Sequence, residues 1–311
     1  MSQSRLQALA AKTTIKEYAQ GAAQEAVAPV ADFLAPTVEV SSDVGYYKEY
    51  TEKNRFRVPN TARAIGGRAT ELGFDASDKT FNCKPQALDV PVDKIEQDAS
   101  EEAGEAVLQE ASDMGAEVGG LAHEKKVVDL AVTTLTPGVA NINFAADQDV
   151  VDQIDQRIIQ IIKAARYGSL MGVGLLFGPT FFRRLKNHAS IKGRFPVGKK
   201  EIVNPTVEDI LSLFIAKPEA RLSAMVFDDA AEGKDADIKF ILDSQLIVFA
   251  RKQNPTRRDP SFMKTFRRRG AWMAPRIYSR DDGRVEVAAL DWSEDVKITN
   301  APAGQLLAIQ N

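Results

Sequence analysis

Apolar side chains along residues 93–135 recur mostly in three- and four-residue steps: Ile95, Ala99, Ala103, Ala106, Val107, Met114, Val118, Leu121, Val128, Val132 and Leu135. That period predicts one long helix with a continuous apolar stripe. At a rise of about 1.5 Å per residue it would reach on the order of 50 to 60 Å, more than a small domain can cover. Gly104, Gly115, Gly119 and Gly120 interrupt the pattern; each costs about 1 kcal/mol against Ala in a helix interior, so a bend or break is expected near Gly119. The preceding stretch, residues 44–91, carries short alternating pieces, Pro59, Gly66-Gly67 and the arginines Arg55, Arg57, Arg63 and Arg68. Such a segment suits an extended hairpin or arm better than a packed layer. An arm beside a long spine predicts surfaces completed by neighbouring subunits.

Elsewhere the pattern alternates between helix and strand. Residues 1–35 form a weakly amphipathic arm ending near Pro36. A strong core helix is predicted over 149–165, with Val150, Val151, Ile154, Ile158, Ile161, Ile162 and Ala165 on its buried side. Residues 173–178 predict a buried strand, followed by a helix over 180–187 opened by Pro179. A helix over 206–215 and strands over 222–227 and 246–250 complete a mixed α/β unit. From Pro260 onward, short strands are predicted over 262–269, 273–278, 285–290, 296–299 and 305–309, with Asp281-Asp-Gly283 as a hairpin turn. The expected class is α+β.

Composition narrows the reading. The 311 residues are 44% apolar and 27% charged, which is ordinary for a folded protein. With 43 acidic and 40 basic side chains the net charge is −3, so the whole molecule is not a general nucleic-acid binder and any basic contact must be local. The first residues, Met1-Ser-Gln-Ser-Arg-Leu6, lack the apolar core of a secretory signal. No run approaches the roughly 20 apolar residues needed to span a bilayer, so a cytosolic origin and no membrane partner are expected. The single cysteine, Cys83, excludes an internal disulfide and cysteine-clustered metal sites.

Candidate chemistry is sparse. Met171-Gly-Val-Gly-Leu-Leu-Phe-Gly178 leads into a helix start as phosphate loops do. It lacks a Gly-Lys-Ser/Thr ending and a third glycine at dinucleotide spacing, so glycines permitting close strand packing are the better reading. His123 and His188 have no partners at metal-ligand spacing, and Cys83 has no nearby His to activate it. Glu101, Glu102, Glu105 and Glu110 fit the solvated face of the long helix. No catalytic residue, cofactor site or metal site is therefore predicted, and the chain is not expected to be an enzyme. The basic runs are more informative: the four loop arginines, Arg183-Arg184 with Lys186, Arg257-Arg258, and Lys264 with Arg267, Arg268 and Arg269. They could face nucleic-acid phosphate or a neighbour's acidic helix. With a net acidic chain and a Glu-rich helix to answer them, pairing between subunits is favoured, with Arg55, Arg57, Arg63, Arg68, Lys264, Arg267, Arg268 and Arg269 as the contacts. A nucleic-acid-binding protein using Arg183, Arg184, Lys264 and Arg267 to Arg269, and an α/β enzyme with a nucleotide site around residues 172–180, are the alternatives.

These parts in this order resemble the major capsid protein of tailed bacteriophages, with the Hong Kong 97-like fold. The resemblance rests on the arm from Phe56-Arg-Val-Pro-Asn60 to Gly67, the spine over 92–135, and three closing segments. Those segments are Leu246-Ile-Val-Phe-Ala-Arg-Lys252, Asp259-Pro-Ser-Phe-Met-Lys-Thr-Phe266 and Val296-Lys-Ile-Thr-Asn-Ala-Pro-Ala-Gly-Gln-Leu-Leu-Ala-Ile309. It implies an N-terminal arm over 1–35, an extended loop over 36–90, a peripheral domain from 91–145 with 256–311, and an axial domain over 146–255. It further implies pentamers and hexamers closing into an icosahedral shell around double-stranded DNA, in a virion assembled in the host cytoplasm. Portal and decoration or cement proteins are implied partners. No segment ahead of the arm reads as a cleavable scaffold, so a separate scaffold protein, or none, is expected. Lys48 and Lys53 lie in the loop, where some relatives form a covalent lysine–asparagine bond, but no motif selects them. A cellular nanocompartment shell shares the same fold and would carry an enzyme cargo instead of a genome.

Overall fold

The computed structural model describes residues 29–49, 61–63, 65–68, 77–99, 105–165, 172–195, 205–231, 233–270 and 272–310. The described chain opens with helix α1 (Pro29–Leu34) and strands β1 (Thr37–Val40), β2 (Val44–Glu49), β3 (Ser77–Asn82) and β4 (Lys84–Asp93). Helices α2 (Lys94–Ala99) and α3 (Glu105–Leu135), strand β5 (Ala140–Asn143) and helix α4 (Val150–Ala165) follow. Next come β6 (Gly172–Phe177), α5 (Pro179–Asn187), α6 (Ala189–Lys192), α7 (Val207–Leu211), β7 (Glu219–Leu222), β8 (Val226–Asp228) and β9 (Ile238–Phe240). Strands β10 (Gln245–Arg251), β11 (Met263–Arg268), β12 (Ala274–Arg280), β13 (Val285–Ile298) and β14 (Gly304–Gln310) finish the chain. The class is α+β.

Two five-stranded sheets organise these elements. The first runs β1-β11-β13-β12, with β4 also pairing β13 from Val285 opposite Asp93 to Glu294 opposite Lys84. The second runs β5-β14-β10-β6-β7. Two-stranded β2-β3 and β8-β9 lie apart from both. Residues 285–290 and 296–299, read from the sequence as two strands, belong to the one strand β13, because the polar residues between them stay in register with β4 and β11. The last strand, β14, pairs with β10 and β5 in the second sheet rather than joining the first, so the expected grouping of 256–311 is split between sheets.

The second sheet carries the main core. Its central strands are apolar throughout, Leu246 to Ala250 and Val173 to Phe177 being buried, as expected where both faces are covered. Helix α4 presents Val150, Val151, Ile154, Ile158, Ile161 and Ala165 to the interior; Ile162 of the predicted set is exposed. Residues 29–35, expected at the end of the arm, are core: Ala31 and Leu34 are buried and Phe33 meets Phe249 edge-on at 5.3 Å. Residues 1–28 lie outside the described part.

Helix α3 has 31 residues, about 46 Å at helical rise, and runs unbroken through Gly115, Gly119 and Gly120. The expected bend is therefore not a break. The buried face differs from the predicted stripe: Met114 and Val118 are 55% and 48% exposed, and Ile95 in α2 is 79% exposed. Val128 and Leu135 of the stripe are buried as expected, and Leu108, Ala111, Ser112, Gly115, Ala116, Gly119, Gly120, His123, Glu124, Val127 and Ala131 are buried beside them. The reason is proximity. A Cβ on Gly115 would come 2.8 Å from Leu290 Cδ1, and one on Gly119 2.7 Å from Met273 Cε, so the first half of α3 needs small residues to lie against the first sheet.

Candidate functional site

The loop base is a hairpin fixed to the first sheet. β2 pairs with β3 from Val44 opposite Asn82 to Glu49 opposite Ser77, with Lys48 to Asp78 at 2.7 Å and Lys79 to Glu49 at 3.5 Å across the strands. Phe81 stacks on Phe266 of β11 at 4.6 Å, and Tyr47 adds a tilted contact at 5.4 Å. Gly45 lies directly beneath the Phe81 ring, where a Cβ would stand 2.5 Å from it. Cys83 is buried between β3 and β4, its thiol directed at the Phe266 carbonyl and pushed up to about 11, first by burial. It has the character of a small apolar residue. Beyond the hairpin, Arg63, Ile65 and Arg68 are exposed. Arg55 and Arg57 lie outside the described residues.

The second expected contact group divides. Lys264 is wholly buried, its ammonium donating to the Asp259 carbonyl and lying 3.2 Å from the Asp259 carboxylate. Burial drives that ammonium down from its ordinary value even beside its partner. Arg267 is also interior, 3.3 Å from Glu294, with its guanidinium 3.4 Å from the centre of the Trp272 ring. Neither can reach a neighbour or a phosphate from these positions, which corrects their expected role. The pairing partners are distant in sequence or set by a turn, so a basic run gave no sign of them. Arg268 and Arg269 do point outward, where Asp43 and Glu39 hold them at 3.2 and 3.1 Å.

Between α3 and β13 lies a polar seam that sequence periodicity missed. The Glu294 carboxylate is 3.0 Å from His123 Nδ1 and 3.3 Å from Lys126 Nζ, in addition to Arg267. Burial alone would raise this carboxyl; the His123 hydrogen bond and the surrounding cations outweigh it and hold it at about 2. The next residue along the helix behaves oppositely. Glu124 is buried with no hydrogen-bond partner for either oxygen among the described residues, and burial pushes its carboxyl up to about 7. His188 is likewise committed within the chain, to Ser190 at 2.8 Å and the Ala145 carbonyl at 3.1 Å.

The glycine run at 172–178 is packing, as the sequence favoured. A Cβ on Gly174 would strike the Phe249 ring, and one on Gly178 the Asp243 carbonyl. Gly178 N–H donates to the Gln245 carbonyl at 2.9 Å and Phe181 N–H to the Asp243 carbonyl at 3.3 Å, so these two amides are used within the chain.

No protein-family model and no curated protein matches the sequence. Solved structures do match along nearly its whole length. A phage-related protein from Bordetella bronchiseptica RB50 superposes with a TM-score of 0.69 at 16% identity, covering 95% of this chain and 96% of that one. The mature capsid of bacteriophage PhiM1 gives 0.53 at 12% identity, with 90% and 87% covered. The chain shares its fold with capsid shell proteins. The SrpI encapsulin from Synechococcus elongatus PCC 7942 gives a TM-score of 0.54 at 9% identity, with 91% and 88% covered.

Proposed function

We propose that the chain is the major capsid protein of a tailed bacteriophage, with the Hong Kong 97-like fold, and that it self-assembles into the icosahedral shell around a double-stranded DNA genome. The observation that carries this reading is the match over nearly the full length of both chains to the phage-related protein and to the PhiM1 capsid. The role is structural rather than catalytic. In this reading β2 and β3 are the root of the extended loop, α3 is the spine, the first sheet belongs to the peripheral domain, and the second sheet, including β14, to the axial domain. Arg63 and Arg68, with Arg55 and Arg57, reach a neighbour's acidic surface and set register more than affinity. Contacts of this head-to-tail kind close into five- and six-membered rings. Scaffold, portal and decoration proteins are further partners.

Encapsulin likeness makes a nanocompartment the second reading. Negative-stain electron microscopy with sedimentation tests both. Closed particles or five- and six-membered rings are expected from the purified chain, alone or with its neighbouring genes, and their content separates genome from enzyme cargo. A persistent monomer in every preparation would refute assembly.

A further inference from the structure

Residues 179–194, which hold α5 and α6, contain Arg183, Arg184, Lys186, Lys192 and Arg194 and no acidic residue. Arg194 is engaged by Asp149 at 2.5 Å, but Arg183, Lys186 and Lys192 have no carboxylate partner among the described residues. Some outward cations elsewhere are matched within the chain, Arg268 with Asp43, Arg269 with Glu39, Arg276 with Asp291, and Lys239 with Asp229 and Asp237, whereas exposed Arg221, Arg257, Arg258 and Arg284 form no ion pair among the described residues. What distinguishes residues 179–194 is their single sign, because a surface meeting another protein mixes signs, whereas one meeting a polyanion keeps one.

The same segment also frames a cavity. Arg183, Arg184, Asn187, Phe144 and His188 line an open recess of about 300 Å³. Phe144 is held edge-on by Phe181 at 5.4 Å and by His188 at 5.9 Å, and the His188 ring is itself fixed by its two hydrogen bonds. A rigid apolar wall beside exposed cations suits a phosphodiester, whose sugar can rest on the ring while the charge meets the guanidinium. With a net charge of −3, the chain as a whole repels nucleic acid, so any contact must come from a local patch such as this one.

We propose that the α5–α6 face binds nucleic-acid phosphate. That this face lines the interior of a filled particle rests on the shell reading; the binding itself does not. The test is titration of a labelled 20-base-pair duplex with the full chain at several salt concentrations between about 50 and 200 mM, using wild type and the triple variant Arg183→Gln, Lys186→Gln, Lys192→Gln. A charge-matched control carries Arg276→Gln, Arg280→Gln and Lys239→Gln. Removing three phosphate contacts should lower the slope of log affinity against log salt by about 2.7, so that wild type weakens about 40-fold more than the variant across that range. The control should keep the wild-type slope, and Arg183→Gln alone should lose about 0.9. Equal slopes for the triple variant and wild type, or no salt-dependent binding by wild type, would overturn the assignment. A triple variant that binds duplex normally yet no longer assembles would place a neighbouring copy's acidic surface in the recess, and also overturn it. Absence of particles from wild type would sink the shell reading alone and leave the titration as it stands.

Discussion

Strands β6 and β10 of the second sheet are buried along almost their whole length, and the core around them is one continuous apolar cluster reaching from Val30 to Leu307. The first sheet has only small clusters, one around Val92 and Leu108, another around Met273, Leu290 and Trp292, and a third under the loop hairpin. Along β4 every second residue faces out. What holds α3 to this sheet is close backbone approach at its glycines and the ionic seam at Glu294. The second sheet is stabilised as an ordinary domain is, by apolar area; the first relies more on polar pairing and fit.

Breaking each region in its own currency separates them. Glu294→Ala should cost about 3 to 5 kcal/mol, because it leaves Arg267 and His123 buried without their counter-charge. Phe249→Ala, at a fully buried ring of the second sheet, should cost a similar amount, about 3 to 5 kcal/mol. Acid distinguishes them in urea unfolding. Glu294 titrates at about 2 in the fold against an ordinary 4.5, so its contribution is complete above about 4.5 and disappears as pH falls through about 2. The deficit of the alanine variant should shrink over that window, while the deficit of Phe249→Ala should stay constant. A pH-independent deficit at both would refute an ionic seam.

Glu124 sharpens the same contrast with the opposite sign. Its folded value of about 7 lies above the ordinary 4.5, so the fold is most favoured below about 4.5 and loses stability as pH rises through about 7. Glu124→Gln should therefore stabilise the chain by up to roughly 3 kcal/mol at pH 8 and by little at pH 4. Equal unfolding midpoints for variant and wild type at pH 8 would show that this carboxylate finds water or a partner when charged.

The sequence was legible where burial is apolar and periodic. The residues of α4 and the strand preceding Pro179 announce themselves because hydrophobic side chains mark the buried side. On α3 the extent was legible but the face was not: Met114 and Val118 carry more apolar area than Gly115 and Gly119, yet distance to the sheet selects for size, which a hydropathy pattern does not weigh. β13 was split because Asp291, Ser293, Glu294 and Asp295 interrupt its apolar run, and Glu294 finds its partner in His123, 171 positions away. Arg267 read as a surface charge for the same reason, its partner Glu294 lying 27 positions on, whereas Lys264 did so because a turn folds Asp259 back onto it. Arg183, Lys186 and Lys192 were visible in the sequence, but that none of the three has a carboxylate partner among the described residues emerges only from the fold.

The smallest effect is expected at Gly119. Replacing it with Ala gains about 1 kcal/mol of helix propensity, while the added methyl meets the end of the Met273 side chain 2.7 Å away and Leu88 at 3.5 Å. A thioether end is the most accommodating neighbour a core can offer, so the terms should nearly cancel and leave stability within about 0.5 kcal/mol of wild type. Gly115→Ala is the informative comparison, because its methyl would stand between Leu290 Cδ1 at 2.8 Å and Val90 Cγ2 at 3.3 Å, two branched side chains with less freedom to withdraw. A net loss of about 1 to 2 kcal/mol is expected there. If both variants are instead stabilised by the full propensity gain, α3 can lift from the first sheet without penalty, and close approach is not what seats the spine.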